Sequence, residues 1–208
     1  MDKLLLYGGT FSPPHKGHIN ALRCAINAIK PDITFVEPTF IPPHKSVDEN
    51  DSPEHRLNMC RLAFEEFNEY GKTLFVDNWE ILQGKKSFTL HTLEHFSTNF
   101  EITLLIGTDM LMTFQDWHKP ENICKLCKIA FMRREYIDSE KEDKIQQQIN
   151  FLENKYDAKI FTIEMPALEI SSTKIRDQLK QGIKPEFIQN NVYKYIKKHN
   201  LYAINTNR

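Results

Sequence analysis

Residues 4–18 read Leu4-Leu5-Leu6-Tyr7-Gly8-Gly9-Thr10-Phe11-Ser12-Pro13-Pro14-His15-Lys16-Gly17-His18. A short, unbroken apolar run passes into a glycine-bearing loop, and Ile19, Leu22, Ala25, Ile26 and Ile29 then recur at helical spacing. Strand, glycine loop and helix mouth in that order present backbone N–H groups and a helix dipole to a phosphate. Gly9 lets the backbone approach a ligand closely, and Gly17 leaves room at the helix start. His15 and His18 add ring donors that carry partial positive charge near neutral pH. The stretch therefore predicts a nucleotide-phosphate site. As a metal pair the two histidines lack a nearby Glu and a third ligand.

Outward from this stretch, strands and helices alternate. Ile33 to Val36 reads as a second strand by its β-branched and aromatic content. Pro38 to Lys45 can continue neither strand nor helix. Ser52-Pro53 opens a helix with a capping Ser and a first-turn Pro, and Leu57, Cys60, Phe64 and Phe67 form its apolar stripe up to Gly71. Thr73 to Val76, Glu101 to Ile106, Lys128 to Met132 and Lys159 to Ile163 are four more strands. A loop is expected through Gly84 to Ser87, then helices over Thr89 to Phe96, after Gly107-Thr108-Asp109, over Glu121 to Cys127 and over Glu140 to Tyr156. Ser171-Ser172-Thr173 starts another that stops at Gln181-Gly182, and the tail from Pro185 to Tyr202 is helical. Six strands separated by helices call for an α/β fold with an open, doubly wound, mostly parallel sheet covered on both faces. Ligands sit beyond the carboxyl ends of such strands. The glycine loop, the Pro-Pro-His-Lys loop, the Gly-Thr-Asp turn and the Ser-Ser-Thr helix all fall on that edge.

The 208 residues, 40% apolar and 26% charged, suit one substantial core. A formal net charge of -1 offers no whole-chain reason to expect nucleic acid or an anionic membrane as partner. No apolar run approaches the ~20 residues of a membrane span. The three-Leu run is too short for the core of a secretion signal, so the chain is expected to be cytoplasmic. Cys24 and Cys60 fall in apolar helical patterns. Cys124 and Cys127 form a Cys-x-x-Cys pair, but without a second pair or a spaced histidine pair core packing outweighs zinc or redox chemistry.

Ile170-Ser171-Ser172-Thr173-Lys174-Ile175-Arg176 breaks a local rule. Lys174 and Arg176 place cations at a helix N-terminus, against the dipole, a cost that a bound anion would reverse. Taken with Gly8-Gly9-Thr10-Phe11-x-Pro13-Pro14-His15-x-Gly17-His18, it resembles the HxGH and SSTxxR-type signatures of the nucleotidyltransferase superfamily. Ile41-Pro42-Pro43-His44-Lys45, Arg56-x-x-Met59, Ser87-Phe88-Thr89-x-x-Thr92-Leu93, Ile106-Gly107-x-Asp109 and Phe114-x-x-Trp117 follow the order of bacterial nicotinate mononucleotide adenylyltransferases.

The resemblance covers Leu4 to about Tyr202. It implies a single Rossmann-like nucleotidyltransferase domain over residues 1–208, helical from about Ser171. It also implies adenylyl transfer from ATP to nicotinate mononucleotide, with Mg²⁺ held mainly by phosphates and water. His15, His18, Arg176 and Lys45 would be catalytic. Gly8, Gly9, Thr10, Phe11, Gly17, Gly107, Asp109, Ser171, Ser172 and Thr173 would bind ATP. Thr10, Phe11, Lys45, Thr89, Trp117 and His118 would bind the mononucleotide; for Trp117 a plain core role competes with stacking on the pyridine ring. A homo-oligomer stays open. Two positions depart from the family. Ser12 stands where Asp is frequent and is expected to weaken a hydrogen bond shaping the loop. His91 stands where Asp is common, beside the nicotinate pocket. Competing readings are the same reaction on the amide nucleotide, pantetheine-phosphate adenylylation, and a regulator that binds nucleotide without turning it over.

Overall fold

Leu4 to Tyr7 are apolar at every position because both faces of their strand are covered. In the strand Asp2–Gly9 (β1), Leu4 and Leu6 enter one hydrophobic core while Leu5 and Tyr7 enter the other. The computed structural model describes residues 1–43, 50–70, 73–134, 139–166, 168 and 170–203. After β1 come α1 (Lys16–Ile29), β2 (Ile33–Pro38), α2 (Pro53–Phe64), a 3-10 segment (Glu65–Tyr70) and β3 (Leu74–Val76). Then follow α3 (Trp79–Gln83), α4 (Thr89–Phe96), β4 (Phe100–Gly107), α5 (Thr108–Met112) and α6 (Pro120–Leu126). The remaining elements are β5 (Cys127–Arg134), α7 (Ser139–Tyr156), β6 (Ile160–Met165), α8 (Ser172–Lys180) and α9 (Asn190–Lys198).

The six strands form one parallel sheet in the order β3-β2-β1-β4-β5-β6. This is the doubly wound arrangement, and its strand order reverses between β1 and β4, where a crevice opens at the carboxyl ends. One core gathers Leu5, Leu22, Ala25, Met59, Phe64 and Val192 from β1, α1, α2 and α9. The other gathers Leu6, Leu93, Leu104, Phe114, Phe131 and Leu152 from the opposite face.

Two local expectations change, and a segment without an assignment gains a helix. Pro38 does continue β2, pairing with Gly9 of β1. Its missing N–H is tolerated because β3 pairs with β2 only as far as Val36, so no donor is required beyond that point. The segment before Gly84 contains the short helix α3, hidden in the sequence by a buried glutamate, Glu80, at its start. Cys127 opens β5, opposite Ile102, instead of closing a helix. The expected helix end at Gly71 and most of the Pro-Pro-His-Lys loop lie outside the described residues.

Cys124 and Cys127 are free thiols in the second core. Burial, with the Glu121 charge, pushes Cys124 up to about 11, and burial drives Cys127 further in the same direction. Thiols held protonated in this way are poor ligands and nucleophiles. Among the described residues no group of three or more His, Cys, Asp or Glu side chains could hold a metal ion, and no helix is long and apolar enough to cross a membrane.

Leu5, fully buried at the centre of the sheet, tests this packing. Leu5→Ala should lower stability by about 2–5 kcal/mol. Urea titration should show an earlier midpoint with an unchanged slope.

Candidate active site

The glycine loop is built by close approach. Phe11 adopts a left-handed φ of 49° and turns its ring inward against Tyr7, His18 and Phe64. A Cβ on Gly9 would lie 2.9 Å from that ring, so only glycine fits above it. A Cβ on Gly17 would lie 3.0 Å from the His15 ring and from Ile170 Cγ2. At Gly8 and Gly107 the position is reversed: a Cβ on either would meet nothing within 4 Å. Gly8 is the last residue but one of β1 and Gly107 the last of β4, so the space they leave belongs to the crevice.

His15 is the N-cap of α1 and is buried. Its ring stacks on that of His18, with centroids 3.8 Å apart and planes inclined by 24°. The backbone N–H of His15 donates to His18 Nδ1 at 3.2 Å. An Nδ1 that accepts leaves the proton of neutral His18 on Nε2, making that nitrogen a donor. Gly107 caps α5, Thr108 of that helix donates to the Met132 carbonyl at 2.9 Å, and Asp109 is exposed in its first turn.

The start of α8 is strapped to the loop. Ser171 caps the helix by accepting from the Lys174 N–H at 3.2 Å. Ser172 Oγ donates to the Pro13 carbonyl at 3.0 Å. Arg176 donates to the Ser12 carbonyl at 2.7 Å and to Thr173 Oγ1 at 3.2 Å. The three hydroxyls and the arginine that suggested an anion thus also have protein partners, which hold α8 and the loop in register.

Ser12 does not leave the loop short of a hydrogen bond. Its hydroxyl donates to Asp51, a buried carboxylate at the entry to α2. Burial raises the Asp51 carboxyl, while Ser12, Tyr202, Arg56 and Arg176 pull it back. The carboxylate that the family often carries on the loop is here supplied from a neighbouring element.

Arg56 of α2 is 1% exposed. It donates to the Thr10 carbonyl at 3.0 Å, to the Phe40 carbonyl at 2.8 Å and to Thr39 Oγ1 at 3.4 Å. The Phe40 N–H in turn donates to Ser87 Oγ at 2.9 Å, and the Ser87 N–H to the Ile41 carbonyl at 2.9 Å. One guanidinium thereby ties the glycine loop to the chain leaving β2, and through it to the turn before α4.

That turn leads to the other predicted residues. Thr89 is the first residue of α4, after Phe88 at the cap. The Phe88 ring lies 4.8 Å from that of His118, and His91 lies 5.9 Å from His118. Lys86 Nζ is 5.7 Å from the centre of the Phe88 ring. Trp117 is half-buried and packs on Phe114 at 4.9 Å, which gives it a core contact as well as exposed surface. The fold thus brings Thr89, Trp117 and His118 onto adjoining segments, as it does the loop histidines and Arg176. Lys45 lies outside the described residues.

Comparison with known proteins bears on the family and the fold. Residues 6–178 match the cytidylyltransferase-like family model. The "Probable nicotinate-nucleotide adenylyltransferase" of Idiomarina loihiensis is 32% identical over 95% of this chain and 98% of its own length. The chain belongs to the nicotinate-nucleotide adenylyltransferase family. A relative of the same name from Clostridium kluyveri is 32% identical over 97% of this chain and 100% of its own. The Plasmodium falciparum nicotinic acid mononucleotide adenylyltransferase complexed with NaAD shares the fold, with a TM-score of 0.74 at 21% identity over 97% of this chain and 98% of that one.

For a nicotinate-nucleotide adenylyltransferase, what the sequence left without a role are the residues that brace the site. Arg56 stood out only as part of the Arg56-x-x-Met59 motif; its place three and seven residues before Met59 and Ala63, on the buried side of α2, is the signal for a bracing role. Asp51, Glu37, Glu80 and Tyr202 carried no local signal, because their partners are distant in sequence. Arg56→Met would leave two part-buried carbonyls without donors, at no more than about 1–3 kcal/mol each, so a loss of up to about 2–6 kcal/mol is expected. Arg56→Lys, which cannot span both carbonyls, should recover only part of it in chemical denaturation.

Proposed function

We propose that the enzyme transfers the adenylyl group of ATP to nicotinate mononucleotide, giving deamido-NAD and pyrophosphate. The observation carrying this reading is the stacked His15–His18 pair at the mouth of α1, where the His15 N–H on His18 Nδ1 makes Nε2 the donor. A phosphate oxygen of the mononucleotide attacks the α-phosphorus of ATP, and the bond to the bridging oxygen breaks with its electron pair leaving on pyrophosphate. The nucleophile is already anionic, so no general base is needed. The site's work is to hold two anions together and to receive the charge that builds on the leaving side.

In this reading His15, His18, Arg176 and Lys45 meet the reacting phosphates, with Arg176 sharing its donors between phosphate and the Ser12 carbonyl. Gly8, Gly9, Thr10, Phe11 and Gly17 offer backbone to ATP, Gly107 and Asp109 border its ribose, and Ser171, Ser172 and Thr173 face the outer phosphates. The donors at this end are imidazoles, hydroxyls and backbone N–H groups, not the carboxylate cage that a hard cation takes. Mg²⁺ fits as a companion of the nucleotide's own phosphates and water, where it would neutralise charge on the triphosphate.

At the other end Trp117 stacks on the pyridine ring, with Thr89 and the backbone at His118 near its carboxylate. Lys86, His91 and His118 around Phe88 make this a donor-rich, cationic neighbourhood, which supports the acid over the amide. His18→Ala should lower kcat about 10²–10³-fold, as for loss of one transition-state donor, with an unchanged circular dichroism spectrum. Pyrophosphate release with each pyridine nucleotide should give a much larger kcat/KM for the nicotinate form; equal or better use of the amide would overturn the substrate assignment.

A further inference from the structure

Two glutamates outside the set assigned to substrates are buried together. Glu37, near the end of β2 and opposite Gly8 of β1, is 0% exposed, and Glu80, at the start of α3, is 6% exposed. Glu37 Oε1 accepts the Glu80 backbone N–H at 2.9 Å, and Glu80 Oε1 accepts the Thr92 hydroxyl at 2.6 Å. That leaves one oxygen on each carboxyl, Glu37 Oε2 and Glu80 Oε2, buried and with no partner among the described residues. Two buried carboxylates joined through one backbone N–H repel each other, which favours one of them holding a proton.

The surroundings assign the roles. Burial raises the Glu80 carboxyl too, but the Ser87 and Thr92 hydroxyls and the Arg56 charge pull it back, which favours Glu80 as the ionised partner. Glu37 is raised to about 9, first by burial and then by the negative charges of Glu80 and Asp77, against the pull of the Glu80 N–H. From α2 the pair is faced by Arg56 and by Cys60, whose thiol burial keeps protonated. Lys85, Lys86 and His91 share with Glu80 the shallow cleft on the outer side.

We propose that Glu37 keeps a proton while Glu80 beside it is the carboxylate, and that this proton latches α3 and the Gly84–Phe88 turn against the pyridine-nucleotide end. Glu37 is then a positioning residue. Glu80 reaches α4 through Thr92, and Ser87 joins the same turn to Phe40 and Ile41, so losing the proton puts two charges where α3, α4 and β2 meet. The effect on substrate rests on the proposed function; the latch itself does not.

The sign follows from a folded pKa above the unfolded value. Its contribution to stability is fully present below about 4.5 and is lost as pH rises towards about 9. Above about 9 the latched fraction falls, and by pH 10 it is lower by roughly ten-fold. Glu37→Gln keeps the shape and the acceptor for the Glu80 N–H, and it stays uncharged at every pH. In the wild-type chain, amide exchange in α3 corrected for intrinsic rates should accelerate between pH 8 and 10, and KM for nicotinate mononucleotide should rise on the order of ten-fold by pH 10, with kcat less affected. Glu37→Gln should flatten both profiles and match the wild type at pH 7. Carbon-13 titration of wild-type side-chain carboxyls should give one glutamate titrating near 9. Two ordinary glutamate titrations, or a Glu37→Gln chain that keeps the wild-type exchange profile, would overturn the latch. An exchange profile that flattens while KM does not respond would leave the latch standing and remove the substrate assignment instead.

Discussion

The buried Arg56 guanidinium is the contact on which the rest of the site depends. Its side chain comes from α2, yet its donors end on Thr10 of the glycine loop and on Phe40 beyond β2. Neither segment has regular structure, and each would otherwise leave a carbonyl buried beside the other. A planar cation with several fixed donors can serve both at once, which a lysine cannot. Its cost is desolvation, which lowers the Arg56 pKa, and the negative charge of Asp51 offsets part of it. Asp51 in turn receives the Ser12 hydroxyl, and Arg176 holds the Ser12 carbonyl from the opposite side.

This bracing explains how a loop with few partners of its own can present histidines accurately. The HxGH segment is fixed from below by the Phe11 ring, from one side by α8 and from the other by Arg56. What remains uncovered is the space beyond Gly8 and Gly107, at the reversal of strand order. Catalysis by positioning needs a frame that does not yield when two polyanions enter, and buried, directional hydrogen bonds supply it better than apolar contacts alone.

The same logic continues towards the base-selecting end. The chain of contacts runs from Arg56 through Phe40 and Ser87 to α4, while Glu37, Glu80 and Thr92 secure the same turn from beneath. Buried carboxyls are an unfavourable way to build a core, since burial raises their pKa and makes stability fall with pH. Their place under the segments carrying Thr89 and His91 couples that cost to the geometry of the substrate end.

Resemblance to a known family implied the reaction class, and the sequence by itself determined most element types and the parallel doubly wound sheet. Those two follow from local quantities: the period of apolar residues, and glycine and proline at fixed offsets. It also singled out His15, His18 and Arg176, while Arg176 and Ser172 proved to bond the glycine loop in a way that no local rule foretold. Tertiary structure alone decided that Asp51 serves Ser12, that Glu37 meets Glu80 across 43 residues, and that Arg56 joins two loops. Each is a buried polar group whose partner is distant in sequence, and the demand that such a group be satisfied acts only once folding has brought the partner within reach.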